Sequence, residues 1–191
     1  MRVSRQQVED NKRTILEAAG RLFRERGFEA VTVTDVMKSA GLTHGGFYGY
    51  FKSKEELITQ TLAALQRQSD LRSADLATVV ERYLSPEHRD DFGDGCPVAA
   101  LASEAIRQPG GARHEMTAGL RRQFERLSRL APGEDESERR RAAIGNWATM
   151  VGALILARMT DDPDLSGEVL EETRAWLVAR GPAADATTKE P

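Results

Sequence analysis

The sequence predicts an all-α protein in which three helices near the N-terminus are joined by a fourth to a larger helical region. Three observations carry this. Apolar residues recur at i, i+3, i+4 and i+7 along most of the chain, two segments open with capping residues, and no stretch alternates with the period of a strand.

The first helix is predicted from Ile15, Ala19, Leu22 and Phe23, which share one face and make it a lid for the next two. Thr32 with Asp35 gives a Thr-x-x-Asp start to the second, where Val33, Val36, Met37 and Ala40 form the apolar stripe. Ala40-Gly41-Leu42-Thr43 ends that helix, and Thr43 is placed to cap a third that carries Phe47 and Phe51. Ser53 with Glu56 is a capping box for the fourth, which continues through Leu57, Ile58, Thr61, Leu62 and Leu65.

Beyond it, the polar stretch QRQSDLRSAD at about 66–75 is the first segment able to act as a boundary. Further helices are expected over Asp75–Leu84, Pro97–Arg107, Ala112–Leu130, Glu136–Met159 and Ser166–Arg180, with Pro97 suited to a first helical position. A loop, EHRDDFGDG, precedes Cys96, and QPGG, APG and DDPD break the later helices. The expected division is a helix-turn-helix domain over 1–58, a helical domain over 59–181 and a disordered tail over 182–191.

The 191 residues are 40% hydrophobic and 30% charged, which suits a water-soluble chain with one large core or two modest domains. The longest apolar stretch, Met150 to Ala157, falls short of the ~20 residues a bilayer needs, and MRVSRQQVEDNKR has no apolar signal region. No membrane partner and a cytoplasmic location are expected. Cys96 is the one cysteine, so no internal disulfide forms.

The segment VTDVMKSAGLTHGGFYGYFKSKEELI, Val33 to Ile58, points to nucleic acid. Asp35 and Glu56 put acids in the first turns of their helices, whereas Thr43 is followed by His44, Gly45 and Gly46, leaving an N-terminus that does not repel phosphate. Each glycine costs about 0.8–1 kcal/mol in a helix interior relative to Ala. Gly45, Gly46 and Gly49 therefore imply either a backbone that lies close to a groove or tight packing against another helix. Residues 1–54 carry ten Lys or Arg against six acids, a balance of +4 that leaves −7 for the rest of a chain whose net charge is −3.

Residues from about Asn11 to Ile58, ILEAAGRLFRERGFEAVTV followed by TDVMKSAGLTHGGFYGYFKSKEELI, resemble the N-terminal domain of the TetR family of bacterial transcriptional regulators. In that family a Gly ends the first helix and Tyr-x-x-Phe-x-x-Lys leads into the fourth, places filled here by Gly27, Tyr48, Phe51 and Lys54. The resemblance implies a repressor that binds a palindromic double-stranded DNA operator as a homodimer and is released by a small-molecule effector. It covers the C-terminal region only by the order and type of helices.

Candidate DNA contacts follow. Thr43, His44, Gly45 and Gly46 stand where base edges are reached, with Thr34 joining from the preceding helix. Tyr48, Tyr50 and Lys54 resemble phosphate-contacting positions. His44 is the candidate base reader, for an acceptor on guanine, against the reading of an exposed histidine as a solvated bystander.

Two later helices look made for a partner. Gly145, Ala148 and Gly152 line one side of the first, with Val151 and Ile155 alongside, and Val169, Thr173, Trp176 and Leu177 form a stripe on the second. They face either a second copy or the intramolecular core. Phe92, Met116, Leu120, Phe124, Leu127, Trp147 and Met150 are candidates to line an effector cavity, which would suit an apolar or aromatic molecule, or else pack as ordinary core. Cys96 joins that set, and its place at a helix start offers a second reading as a thiol sensor of oxidants or electrophiles, against that of an inert buried cysteine.

Enzymatic signatures are missing from the sequence. His44, His88 and His114 lack metal-ligand spacing, and DDFGDG fails as a calcium loop because Phe92 takes a ligand position and Leu101 stands where a bidentate Glu is needed. No phosphate-binding Gly-rich loop or nucleophile elbow occurs, so neither a metal nor a cofactor is expected. A DNA-architectural protein that binds many sequences alike is the remaining alternative.

Overall fold

The computed structural model describes residues 4–68, 75–108 and 110–180. Among them the chain is helical: α1 (Arg5–Ala30), α2 (Val33–Ser39), a 3-10 helix (His44–Gly49), α3 (Lys54–Gln68), α4 (Leu76–Tyr83), α5 (Pro86–Asp90), α6 (Pro97–Ala105), α7 (Gly110–Ser128), α8 (Glu136–Met159) and α9 (Pro163–Ala179). The expected tail at 182–191 and most of the boundary at 66–75 lie outside the described residues.

Local chemistry explains the element ends. Thr32 Oγ1 accepts from Asp35 N at 3.1 Å while Asp35 Oδ2 accepts from Thr32 N at 2.9 Å, a complete capping box for α2. At α3, Ser53 Oγ accepts from Glu56 N, but the Glu56 carboxylate reaches Lys52 N at 2.6 Å, one residue earlier than a capping box would place it. α8 has the span expected of it, capped by Asp135. α9 starts earlier than the expected Ser166, because Asp162 accepts from the amides of Asp164 and Leu165 and Pro163 occupies the first turn. The same DDPD that ends one helix opens the next. Likewise, the loop expected at EHRDDFGDG holds the short helix α5.

The described residues fall into two compact units, one drawn from segments 1–70 and 91–120, the other from 71–90 and 121–191. This differs from a division at residue 58, which lies inside α3. The reason is burial. Ile15, Phe23, Phe28, Met37, Phe47, Phe51, Leu57 and Leu62 share one core with Leu101, Ala105, Ala112 and Met116 of α6 and α7. Removing such apolar area from water is worth roughly 25 cal/mol per Å², so the faces of α6 and α7 belong energetically to the N-terminal helices.

Two polar ties reinforce that core. α1 breaks at Gly27, whose φ of 79° favours glycine, and the freed Phe28 N donates to Glu104 Oε2 of α6 at 2.7 Å. A Cβ on Gly27 would collide with the same carboxylate. Arg24, its side chain only 8% exposed, donates through both Nε and Nη2 to the carbonyl of Gly93 and pairs with Asp94, which Arg21 also holds at 2.8 Å. In the second unit, Tyr83 meets Trp147 edge-on at 5.1 Å, and Arg158 donates to the carbonyls of His88 and Arg89.

Candidate nucleic-acid interface

Phe47 and Phe51 stack at 5.6 Å, both buried, and carry the 3-10 helix on the core of the first unit. An α-helix was expected here. Three glycines in six residues remove the side-chain contacts that stabilise i to i+4 turns, and the segment adopts the tighter form used in short pieces. Thr43 precedes it with extended backbone, but its side chain makes no capping bond, contrary to expectation.

The expected contact residues are all at least partly exposed. Thr34, Thr43, His44, Gly45 and Tyr48 are exposed, Tyr48 to 72%, and Gly46, Tyr50 and Lys54 are half-buried. Thr34 Oγ1 lies 3.1 Å from His44 Nδ1, joining α2 to the 3-10 helix. Lys54 Nζ reaches Glu29 O at 3.4 Å. Tyr50 OH accepts from Asn11 Nδ2 at 2.8 Å, and Lys12 Nζ sits 5.4 Å from the centre of the Phe51 ring. Sequence reasoning missed Asn11 and Lys12, since nothing in a local pattern on α1 marks residues that meet a segment almost forty positions away.

The glycines answer the packing question for two of the three positions. A Cβ on Gly45 or Gly49 would meet nothing within 4 Å, and one on Gly46 would make ordinary contact with Met37, Thr43 and Tyr50. Tight packing inside the chain therefore does not demand glycine at 45 or 49.

The candidate effector residues are divided between the two units. Phe92, Cys96, Met116 and Leu120 belong to the first unit, and Phe124, Leu127, Trp147 and Met150 to the second. Phe92 is 45% exposed, and Met116 is part of the core under α1 to α3, with Gln66 Nε2 on its sulfur at 3.5 Å. In the second unit Leu127, Trp147 and Met150 are buried, and Arg140 lies over the Phe124 ring at 5.3 Å. Trp147 Nε1 and Gln123 Nε2 are buried without a hydrogen-bond partner among the described residues.

The candidate dimer face is exposed on α8 at Gly145, Ala148 and Ile155 and half-buried at Val151 and Gly152, with Ile144, Leu156 and Met159 beside it. On α9, Trp176 is 50% exposed under the Arg180 guanidinium, and Val169 and Thr173 are half-buried. Leu177 departs from the expectation: it turns inward and is buried with Leu170. A Cβ on Gly145 or Gly152 would meet nothing within 4 Å. One further expectation needs correcting. α8 is long and apolar enough, by length and composition alone, to cross a membrane.

Comparison with known proteins matches this architecture. The profile of bacterial regulatory proteins of the tetR family matches residues 15–61, and that of the tetracyclin repressor-like C-terminal domain matches residues 73–172. An uncharacterized HTH-type transcriptional regulator of Mycobacterium tuberculosis is 28% identical over 182 residues, covering 86% of this chain and 93% of its own. The M. tuberculosis repressor KstR2 is 41% identical over 56 residues, 29% of this chain and 28% of its own. Among solved structures, the reduced form of E. coli NemR superposes with a TM-score of 0.70 at 23% identity, over 91% of this chain and 99% of that one. A TetR-family regulator from Agrobacterium tumefaciens does so with a TM-score of 0.71 at 19% identity, over 92% and 100%. The C-terminal match carries through residue 172 a likeness that the sequence showed by motif only near its N-terminus, and this protein belongs to the TetR family of DNA-binding bacterial transcriptional regulators.

Proposed function

We propose that this regulator is a cytoplasmic homodimer that represses from a two-fold symmetric operator, acts by binding rather than catalysis, and leaves the DNA when a small molecule enters its C-terminal unit. The observation that carries the reading is the exposed surface of Thr34, Thr43, His44 and Gly45 over two buried phenylalanines, with open space where a Gly45 side chain would stand. A single such surface spans a few base pairs, and paired copies address half-sites about 34–36 Å apart or at multiples of that spacing. The face of Gly145, Ala148, Gly152 and Ile155 on α8 with Trp176 on α9 supports a second copy as its occupant. A helix that spans a bilayer alone would be apolar all round, whereas α8 packs its other side on α9.

For the effector, Trp147 and Met150 beside Leu127 favour an apolar or aromatic body, and the partnerless Trp147 Nε1 and Gln123 Nε2 favour one that also carries an acceptor atom.

The second reading, a thiol-sensing role for Cys96, places the sulfur buried at the N-cap of α6. Cys96→Ser should then abolish electrophile-triggered release and leave DNA affinity intact.

Selection of bound duplexes from a random pool, at fixed near-physiological salt, tests the main reading. A two-fold symmetric motif is the expected result. Equal recovery of all sequences would overturn operator recognition and favour an architectural role.

A further inference from the structure

α1 approaches the candidate interface through a chain of amides. Gln7 Nε2 donates to Asn11 Oδ1 at 2.9 Å, and Asn11 Nδ2 donates to Tyr50 OH at 2.8 Å. Gln7 N is itself held by Ser4 Oγ, the N-cap of α1, at 3.1 Å. The order of donors matters. A phenol has one proton to give and lone pairs to accept with. Since Asn11 supplies a proton to the oxygen, the Tyr50 proton is left for a group outside the chain. Accepting a bond also polarises the O–H and makes it a better donor. The backbone that carries the ring is held as well: Tyr50 N donates to Phe47 O at 2.9 Å, which ties it to the buried Phe47.

What would receive that proton is an acceptor-only group beside the 3-10 helix, and a DNA phosphate oxygen is such a group. We propose that Gln7 and Asn11 form a donor relay along α1 that presents the Tyr50 hydroxyl outward to a DNA phosphate, making Asn11 a positioning residue for the duplex. The proposal rests on the reading of Tyr50 as a phosphate contact. It adds that the register of the 3-10 helix in the groove is fixed from α1, through a residue that touches no base. Phosphate contacts of this kind orient a protein on DNA and carry no sequence information.

The test is a double-mutant cycle of Asn11→Ala and Tyr50→Phe. Affinity is measured on the selected duplex and on a scrambled duplex of equal length, across a salt series. One net hydrogen bond implies that each single variant weakens binding about three- to ten-fold, equally on both duplexes. The double variant should bind like Tyr50→Phe alone. The salt slope should stay at the wild-type value, because no cation is lost. Asn11→Asp should bind worse than Asn11→Ala, since it offers the phenol an acceptor and the phosphate a negative charge. Gln7→Met, at an exposed site where folding is not at stake, should give a smaller loss in the same direction. Equal losses from Asn11→Ala with Tyr or with Phe at position 50, or wild-type affinity for Asn11→Asp, would overturn the relay. A wild-type chain that binds no duplex would overturn the functional reading along with it, whereas normal wild-type binding with an unaffected Asn11→Ala overturns the relay alone.

Discussion

Thr34 Oγ1 lies 3.1 Å from Nδ1 of His44, so a hydroxyl on α2 meets the imidazole proposed to read a base and bears on its tautomer. With the hydroxyl donating, the ring proton sits on Nε2, which then seeks an acceptor such as guanine O6 or N7. With Nδ1 donating, Nε2 becomes an acceptor and turns to an exocyclic amine.

Thr34→Val keeps the shape and removes the choice. We expect it to alter base preference at one position of each half-site, while His44→Ala relaxes that position. A good base contact is worth about 1–3 kcal/mol, so discrimination there should fall roughly ten-fold or more. Sequencing of selected duplexes reads this directly. An unchanged motif from both variants would remove His44 from base reading.

Gly45→Ala separates folding from binding. With nothing within 4 Å of the added methyl, the protein should melt at or slightly above the wild-type temperature. Operator affinity should nevertheless drop by about ten-fold or more if the backbone lies against the groove, as loss of one good contact would imply. Calorimetry and anisotropy on the same preparation check both halves.

Glu104→Ala strips the acceptor from Phe28 N at the break in α1. Leaving a buried donor without a partner costs about 1–3 kcal/mol, and Glu104→Gln, which keeps an acceptor oxygen, should cost less. Chemical denaturation of the full chain measures the order. Equal stability of all three proteins would remove this tie from the fold's support.

Asp35 gives the fold a pH dependence of known sign. Hydrogen bonds from the Thr32 hydroxyl and then the Thr32 amide hold its carboxyl below the ordinary aspartate range. A depressed folded value means the contribution is complete above the unfolded value, near 3.9, and is lost as pH falls through the folded one. Thr32→Ala should therefore destabilise at pH 7 and differ less from wild type as pH falls below the ordinary aspartate range, in paired denaturation curves.

Gly152→Leu fills the open side of α8. Sedimentation should show the chain shifted toward monomer with its helicity unchanged, and affinity for a full palindrome should fall toward that for a half-site. A stable dimer would move the interface elsewhere.

Much of this was legible because it is local. The Thr32 and Ser53 caps, the span of α8 and the burial of Ile15, Phe23, Phe47 and Phe51 follow from residues within a turn or two of each other. The failures have physical causes of two kinds. Leu177 and the early start of α9 reflect helical phase and a proline read as a stop rather than a start. Asn11 on Tyr50 and Glu104 on Phe28 join residues far apart in sequence, and no periodicity encodes such meetings. The proposed contact surface drew notice in the sequence because its glycines and missing acids are departures from good helix chemistry.

The shared core and the Glu104 tie bear on how this regulator can be rebuilt. A chimera that transplants only the first 58 or 68 residues onto another sensor would strand the amide of Phe28 and bare the apolar side that Leu101, Ala105 and Met116 now cover. A graft that keeps this core whole takes two pieces, drawn from residues 4–68 and 91–120, so an exchange of N-terminal helices between relatives also has to cut into the chain that follows them.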